Sequence, residues 1–133
     1  MGPAVLIADA DSDLCGVCHR FLSRHGWQVQ TAGSGVECLA QLRQCSPYLL
    51  VLDVQLPWGG ADGLLAVMRT DRRLGRIPVV LTSANGPIAN LVLPPVVQGL
   101  RKPFSLTALL DLAHEHLRER IVEVSAGARR TVV

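Results

Sequence analysis

Six side chains in this sequence have types and positions suited to handling a phosphoryl group beside a divalent cation. Asp9 and Asp11 follow the apolar run Ala4-Val5-Leu6-Ile7-Ala8, and Asp53 closes Tyr48-Leu49-Leu50-Val51-Leu52. Thr82 and Ser83 follow Ile77-Pro78-Val79-Val80-Leu81, and Lys102 follows Val96-Val97-Gln98-Gly99-Leu100-Arg101. Carboxylates are hard oxygen ligands for a divalent cation, while an ammonium and a hydroxyl offset phosphate charge. One acid after one apolar run is ordinarily a helix cap or a solvated loop residue. Four such runs, each followed or closed by an acid, a hydroxyl or a lysine, favour chemistry over that bland reading.

The elements that would position these groups are given by the spacing of apolar residues. Short continuous runs at Ala4–Ala8, Tyr48–Asp53 and Ile77–Leu81 (extensible to Thr82) read as buried strands, with Trp27–Thr31 and Val96–Arg101 completing a set of five. Between them lie segments of helical period. Leu14, Val17, Cys18, Phe21, Leu22 and His25 form a stripe that Asp11 or Ser12 can cap and Gly26 can end. Ser34 caps a helix carrying Val36, Leu39, Ala40 and Leu42 to about Gln44. Leu64 to Arg72 turns Leu64, Leu65, Val67 and Met68 inward, and Ser105 caps a last helix from Leu106 to about Val124. The tail from Ser125 to Val133 carries too little patterned apolar surface to predict order. Prolines around Ile88–Leu93 leave at most about two helical turns there.

Alternating strands and helices predict an α/β, flavodoxin-like three-layer sandwich with a five-stranded parallel sheet in order 2-1-3-4-5. In such a sheet the reactive crevice lies at the carboxyl ends of the strands, where the acids, hydroxyls and lysine fall. A chain of 133 residues that is 49% hydrophobic can bury one core without disulfides or a structural metal. The expected organisation is one domain over residues 1–124 with a flexible tail over 125–133. A net charge of +2 gives no reason to expect nucleic acid or an anionic membrane as a partner. No run approaches the ~20 apolar residues of a membrane span, and no targeting segment is recognisable, so a cytoplasmic location is expected. The four cysteines are then expected to be free thiols.

From Val5 to about Val124 the chain resembles the receiver domain of two-component response regulators. The resemblance is carried by Val5-Leu6-Ile7-Ala8-Asp9-Ala10-Asp11, Leu50-Val51-Leu52-Asp53-Val54-Gln55-Leu56-Pro57, Asp62-Gly63, Pro78-Val79-Val80-Leu81-Thr82-Ser83-Ala84 and Arg101-Lys102-Pro103-Phe104. It implies a stand-alone signalling protein, not an enzyme, beyond phosphorylating and dephosphorylating itself. Asp53 would accept a phosphoryl group from a sensor histidine kinase or phosphotransfer protein. Mg²⁺ would be held by Asp9, Asp53 and the backbone carbonyl of Gln55. Lys102, aimed by a cis Lys102-Pro103 bond, would pair with the phosphoryl group, and Ser83 would hydrogen-bond it. Output would pass through contacts with a downstream protein, and a homodimer is compatible with this reading.

The chain departs from the family at four places. Ala10 stands where a second metal-binding acid is usual, which predicts weakened Mg²⁺ binding unless Asp11 compensates. The loop from Pro57 to Gly63 is longer than usual by about two residues, and its Trp58 is a cover for the site, a contact for a partner or a packed loop residue. Gly99 replaces the usual switch aromatic, and the fourth helix of the family is short or absent. A degenerate receiver that binds partners without phosphorylation is the alternative. A small Asp-based phosphatase of the haloacid dehalogenase kind, with Asp9 as nucleophile, is the alternative from another class. Cys15-Gly16-Val17-Cys18-His19 matches the haem-attachment pattern, but its place on a helix favours a buried Cys18 and a more exposed Cys15. His114 and His116 lie on different faces of the last helix and read as surface residues.

Overall fold

The computed structural model describes residues 4–57, 60–85, 88 and 92–132, with side chains described as far as residue 123. Strands β1 (Ala4–Ala8), β2 (Gln28–Ala32), β3 (Leu49–Asp53), β4 (Val79–Ser83) and β5 (Val96–Arg101) form one sheet in the order β2-β1-β3-β4-β5. Every neighbouring pair is parallel. Helices α1 (Ser12–Arg24), α2 (Gly35–Gln44), α3 (Gly60–Thr70) and α4 (Leu106–Val132) cover it, with a single 3₁₀ turn at Leu74–Arg76. This is the flavodoxin-like architecture expected from the alternating pattern.

The three central strands are apolar on both faces because both faces are covered. Leu6, Leu50, Leu52, Val79 and Leu81 point to one side, where Cys38 and Leu42 of α2 and Leu64, Leu65 and Met68 of α3 close over them. Val5, Ile7, Leu49, Val51 and Val80 point to the other, against Cys15, Cys18 and Leu22 of α1 and Leu109, Leu110 and Ala113 of α4. The outer strands are less fully covered: β2 alternates between exposed and covered positions until Ala32, and β5 is largely open after Val96.

Several boundaries differ from the sequence expectation. β4 begins at Val79 and reaches Ser83, because Pro78 has no N–H to donate; its carbonyl instead accepts from Leu50 N at 3.0 Å. α3 begins at Gly60, not Leu64. Ala61 adds an earlier buried position to the 61, 64, 65, 68 spacing, and Gly60 supplies the φ of 60° that opens the helix. α4 continues to Val132, past the expected end near Val124 and through the stretch expected to be a flexible tail. Residues 125–130 include two alanines and two arginines, which favour helix, and no proline to stop it.

The buried faces of α1 and α2 are rotated from the expected ones. Val17 and His25 of the α1 stripe are exposed, whereas Cys15 and Cys18 are both buried, so Cys15 is not the open thiol. Val36 of α2 is 69% exposed, and Cys38 takes the inward place. His114 and His116 are half-buried rather than surface residues: His114 packs against Trp27 at a ring separation of 5.8 Å, and His116 pairs with Glu119 at 3.1 Å. All four cysteines are free thiols. Burial, aided by neighbouring negative charge, pushes Cys18 up to about 11 and Cys38 up to about 12, so neither is a reactive thiolate at neutral pH.

Candidate functional site

The sheet ladder continues past the strand ends and gathers the candidate residues at one edge. Asp9 N donates to Ala32 O at 2.9 Å, Val54 N to Thr82 O at 3.0 Å, and Lys102 N to Ser83 O at 2.9 Å. Asp53 stands in register with Thr82. The strand order, and not proximity in sequence, therefore sets Asp9, Asp53 and Lys102 side by side.

Lys102 is the centre of the charge arrangement. Its Nζ donates to Asp9 Oδ2 at 2.6 Å and lies 3.5 Å from Asp53 Oδ2. Burial by itself would lower the lysine pKa. The hydrogen bond and charge of Asp9, followed by the charge of Asp53, more than offset it and hold the ammonium above its ordinary range. The Lys102-Pro103 bond is cis, as the resemblance implies. Asp9 is only 5% exposed and has both carboxylate oxygens engaged, since Oδ1 accepts from Asp11 N at 2.8 Å. Asp53 is 13% exposed and accepts at Oδ1 from Gln55 N at 3.3 Å. It is thus the more open of the two acids toward an incoming group.

The remaining candidates divide. Thr82 and Ser83 are both buried, and the Ser83 hydroxyl donates to the backbone carbonyl of Asn85. The Asp11 carboxylate is exposed and accepts from Asp13 N at 3.0 Å and Leu14 N at 3.1 Å, so it caps α1. It makes no ion pair with Lys102 within 4.0 Å. Asp11→Ala is accordingly expected to cost about 1 kcal/mol of stability through the lost cap and to leave Mg²⁺ affinity unchanged, as thermal melts and a metal titration would show. Trp58 lies outside the described residues.

Groove size does not identify this edge. A groove of about 770 Å³ lies at the opposite, amino edge, where Tyr48, Pro78, Pro95 and Arg120 line it. A smaller cleft of about 300 Å³ abuts the acids and is lined by Asp9, Ala10, Cys15, His19, Thr31 and Glu37. Cys15 Sγ donates to the Asp9 carbonyl at 3.4 Å from the wall of that cleft. Burial, and then the charges of Asp9 and Asp11, raise the Cys15 thiol pKa. Sequence spacing did not point to His19 and Glu37 as neighbours of the acids; the β2–α2 connection brings Glu37 there.

The donor set decides whether Mg²⁺ fits this edge. Asp9 and Asp53 supply two carboxylates and Gln55 a backbone carbonyl, which meets the small protein share that Mg²⁺ accepts when a substrate phosphate and waters complete its shell. The set is lean. Ala10 contributes no oxygen, and no group of three or more His, Cys, Asp or Glu side chains among the described residues could hold a metal.

A model of the response regulator receiver domain matches residues 5–114. The chain belongs to the response regulator receiver family. Among similar proteins, the transcriptional regulatory protein PrrA of Mycobacterium leprae is 31% identical over 134 residues, covering 98% of this chain and 57% of its own length. The transcriptional regulatory protein GltR of Pseudomonas aeruginosa is 30% identical over 130 residues, covering 95% and 54%. The receiver chain thus spans about half the length of these relatives. A CheY-like receiver domain protein from Methanospirillum hungatei superimposes with a TM-score of 0.82 at 22% identity, covering 92% of this chain and 99% of the other. The receiver domain of Francisella response regulator 1452 gives 0.80 at 23% identity, covering 90% and 99%. At those identities the two structures speak for the fold alone. Receivers are signalling domains of two-component systems, so this chain is a signalling module. No helix among the described residues is long and apolar enough to cross a membrane.

Proposed function

We propose that this receiver takes a phosphoryl group onto Asp53 from a histidine kinase or phosphotransfer protein and signals through protein contacts. The observation that carries the reading is the Lys102 ammonium lying against both Asp9 and Asp53, with Asp53 the more open acid. Phosphoryl transfer asks the protein mainly for positioning and charge neutralisation. Asp53 Oδ presents the nucleophile, and Gln55 N orients the carboxylate through Oδ1. Lys102 is already within reach of the oxygen that would become the acyl phosphate. Asp9, Asp53 and the Gln55 carbonyl would hold Mg²⁺, which when bound neutralises phosphoryl charge. Ser83 would donate to a phosphoryl oxygen after leaving Asn85. Cytoplasmic location belongs to the same proposal.

Ala10 and the tight Lys102–Asp9 pair favour a second reading, a receiver that binds partners without being phosphorylated. Intact-mass analysis after incubation with acetyl phosphate and Mg²⁺ separates the two. The expected result is a gain of one phosphoryl group in the wild type and none in Asp53→Asn. No gain in the wild type would select the second reading. A gain that persists in Asp53→Asn, mapped to Asp9, would select Asp9 as nucleophile.

A further inference from the structure

The two edges of the sheet are finished differently. β5 is blunted in the ways that keep an edge strand single. Pro94 and Pro95 precede it, its register with β4 shifts between Val79 and Val80, and Arg101 stands exposed at its end. β2, the other edge, has none of these devices. Gln28-Val29-Gln30-Thr31-Ala32 carries no charge, proline or glycine. It pairs with β1 without a break from Ala4–Gln28 to Ala8–Ala32.

The hydrogen bonds fix which groups this edge offers. Asp9 N donates to Ala32 O, so the peptide groups of Ala32 face β1. Directions alternate along a strand, which turns the N–H and C=O of Val29 and Thr31 outward. Thr31 O accepts there from Gln41 Nε2 at 2.8 Å, and a carbonyl has a second lone pair to offer. The helices beside the edge are uncharged where they meet it. α1 brings Ser12, Gly16 and His19 to the cleft that Thr31 lines. α2 brings Gln41 and, one turn on, Cys45, whose Sγ donates to Gln30 Oε1 at 3.1 Å. Glu37, the acid on the same ridge of α2, is tied to Gly33 N toward the carboxyl edge.

We propose that β2 pairs antiparallel with β2 of a second copy of this chain, about a two-fold axis through Gln30. The axis stands normal to the sheet, so α1 and α2 each keep their side. Val29 then exchanges both backbone hydrogen bonds with Thr31 of the second copy, and Gln30 faces its own copy across the narrow pair between them. A strand that meets itself cannot carry a charge at its centre without facing the same charge, and β2 carries none. A charged partner finds nothing on this edge to match it, whereas a second copy finds the same neutral groups. One short strand and two helix ridges make a concentration-dependent dimer rather than a permanent one.

Cys45 supplies the readout. It is the least buried of the four cysteines, and its bond to Gln30 sets it beside the axis. A short bis-maleimide is expected to join Cys45 of one copy to Cys45 of the other, as peptide mass mapping would show, and to join nothing in Cys45→Ser. Light scattering on the untreated protein is expected to show a mass that rises toward twice that of the chain with concentration. Gln30→Lys sets two ammonium groups face to face and is expected to weaken the dimer by about tenfold or more. Its melting temperature in dilute solution should match the wild type, because Gln30 is exposed. Gln30→Glu alone is expected to weaken the dimer likewise, and an equimolar mixture of the two variants to recover both the mass and the cross-link. A wild-type mass that stays that of one chain up to about 1 mM overturns the proposal. A dimer indifferent to both Gln30 variants also overturns it and moves the contact to another face. So does a mixture that fails to recover what each variant has lost. None of these outcomes bears on Asp53 as phosphoacceptor.

Discussion

Ala10→Asp is expected to tighten Mg²⁺ binding by about 10- to 100-fold, the equivalent of about 1.4–3 kcal/mol. Position 10 lies between Asp9, whose carboxylate faces Lys102, and Asp11, whose carboxylate is committed to the start of α1. The wild-type pocket sets two carboxylates against one ammonium, a net formal charge of −1 for a divalent cation to meet. An added carboxylate attracts that cation by about 4 kcal/mol per unit charge at 4 Å in a partly screened site. Desolvation of the new acid and its competing attraction to Lys102 cancel much of the gain, which is why the net figure is smaller. The same change is expected to lower stability in EDTA, where the third acid repels the other two, and to make Mg²⁺ a stronger stabiliser of the variant than of the wild type. Amide shifts near Asp53, followed through an Mg²⁺ titration of both proteins, measure the ratio. Equal dissociation constants would mean that position 10 does not face the cation site and that Ala10 is not the reason for a lean donor set.

The site was legible in the sequence to the extent that it is built by strand ends. Asp53 could be located because β3 is apolar throughout and ends at the acid, and parallel strands leave their carboxyl ends together. Lys102 could be located by the same rule and by the proline after it. What could not be read was which polar group each side chain would choose. Asp11 is suited both to ligation and to capping, and the two N–H groups at the start of α1 decide for capping. Ser83 could be assigned the hydroxyl position by counting, but not its bond to Asn85, which depends on the path of the chain after β4. Gly99 announced a missing ring without announcing that the Ile88 side chain lies against it, since the two are brought together only by the fold. The inward face of α2 was misread at Val36: Gly35, Cys38 and Leu42 share the buried side, and Val36 is left exposed.

Lys102→Ala is expected to destabilise the protein by about 2–3 kcal/mol at neutral pH, at or just below the usual cost of removing one partner from a buried charge pair. The lysine is 19% exposed, so water screens part of its attraction, but Asp9 is 5% exposed and would be left with a single hydrogen bond from Asp11 N. Two carboxylates would then face one another without the cation between them. The pH dependence carries the sign. The lysine pKa is raised in the folded protein by Asp9 and Asp53 against the opposing effect of burial. Its contribution is therefore fully present below the unfolded value of about 10.5 and is lost as pH rises through the higher folded value. The gap in urea midpoint between wild type and Lys102→Ala should stay constant from pH 7 to about 10 and close at more alkaline pH, where the wild-type ammonium is discharged. A gap that is absent at pH 7 would show that the 2.6 Å contact contributes nothing to folding. A gap that persists undiminished after the lysine has lost its proton would assign the effect to packing of the side-chain stem instead of its charge. The expected closing of the gap ties the stability of the resting state to the same ammonium that would later meet the phosphoryl group. Phosphorylation would then draw Lys102 from Asp9 toward the group on Asp53.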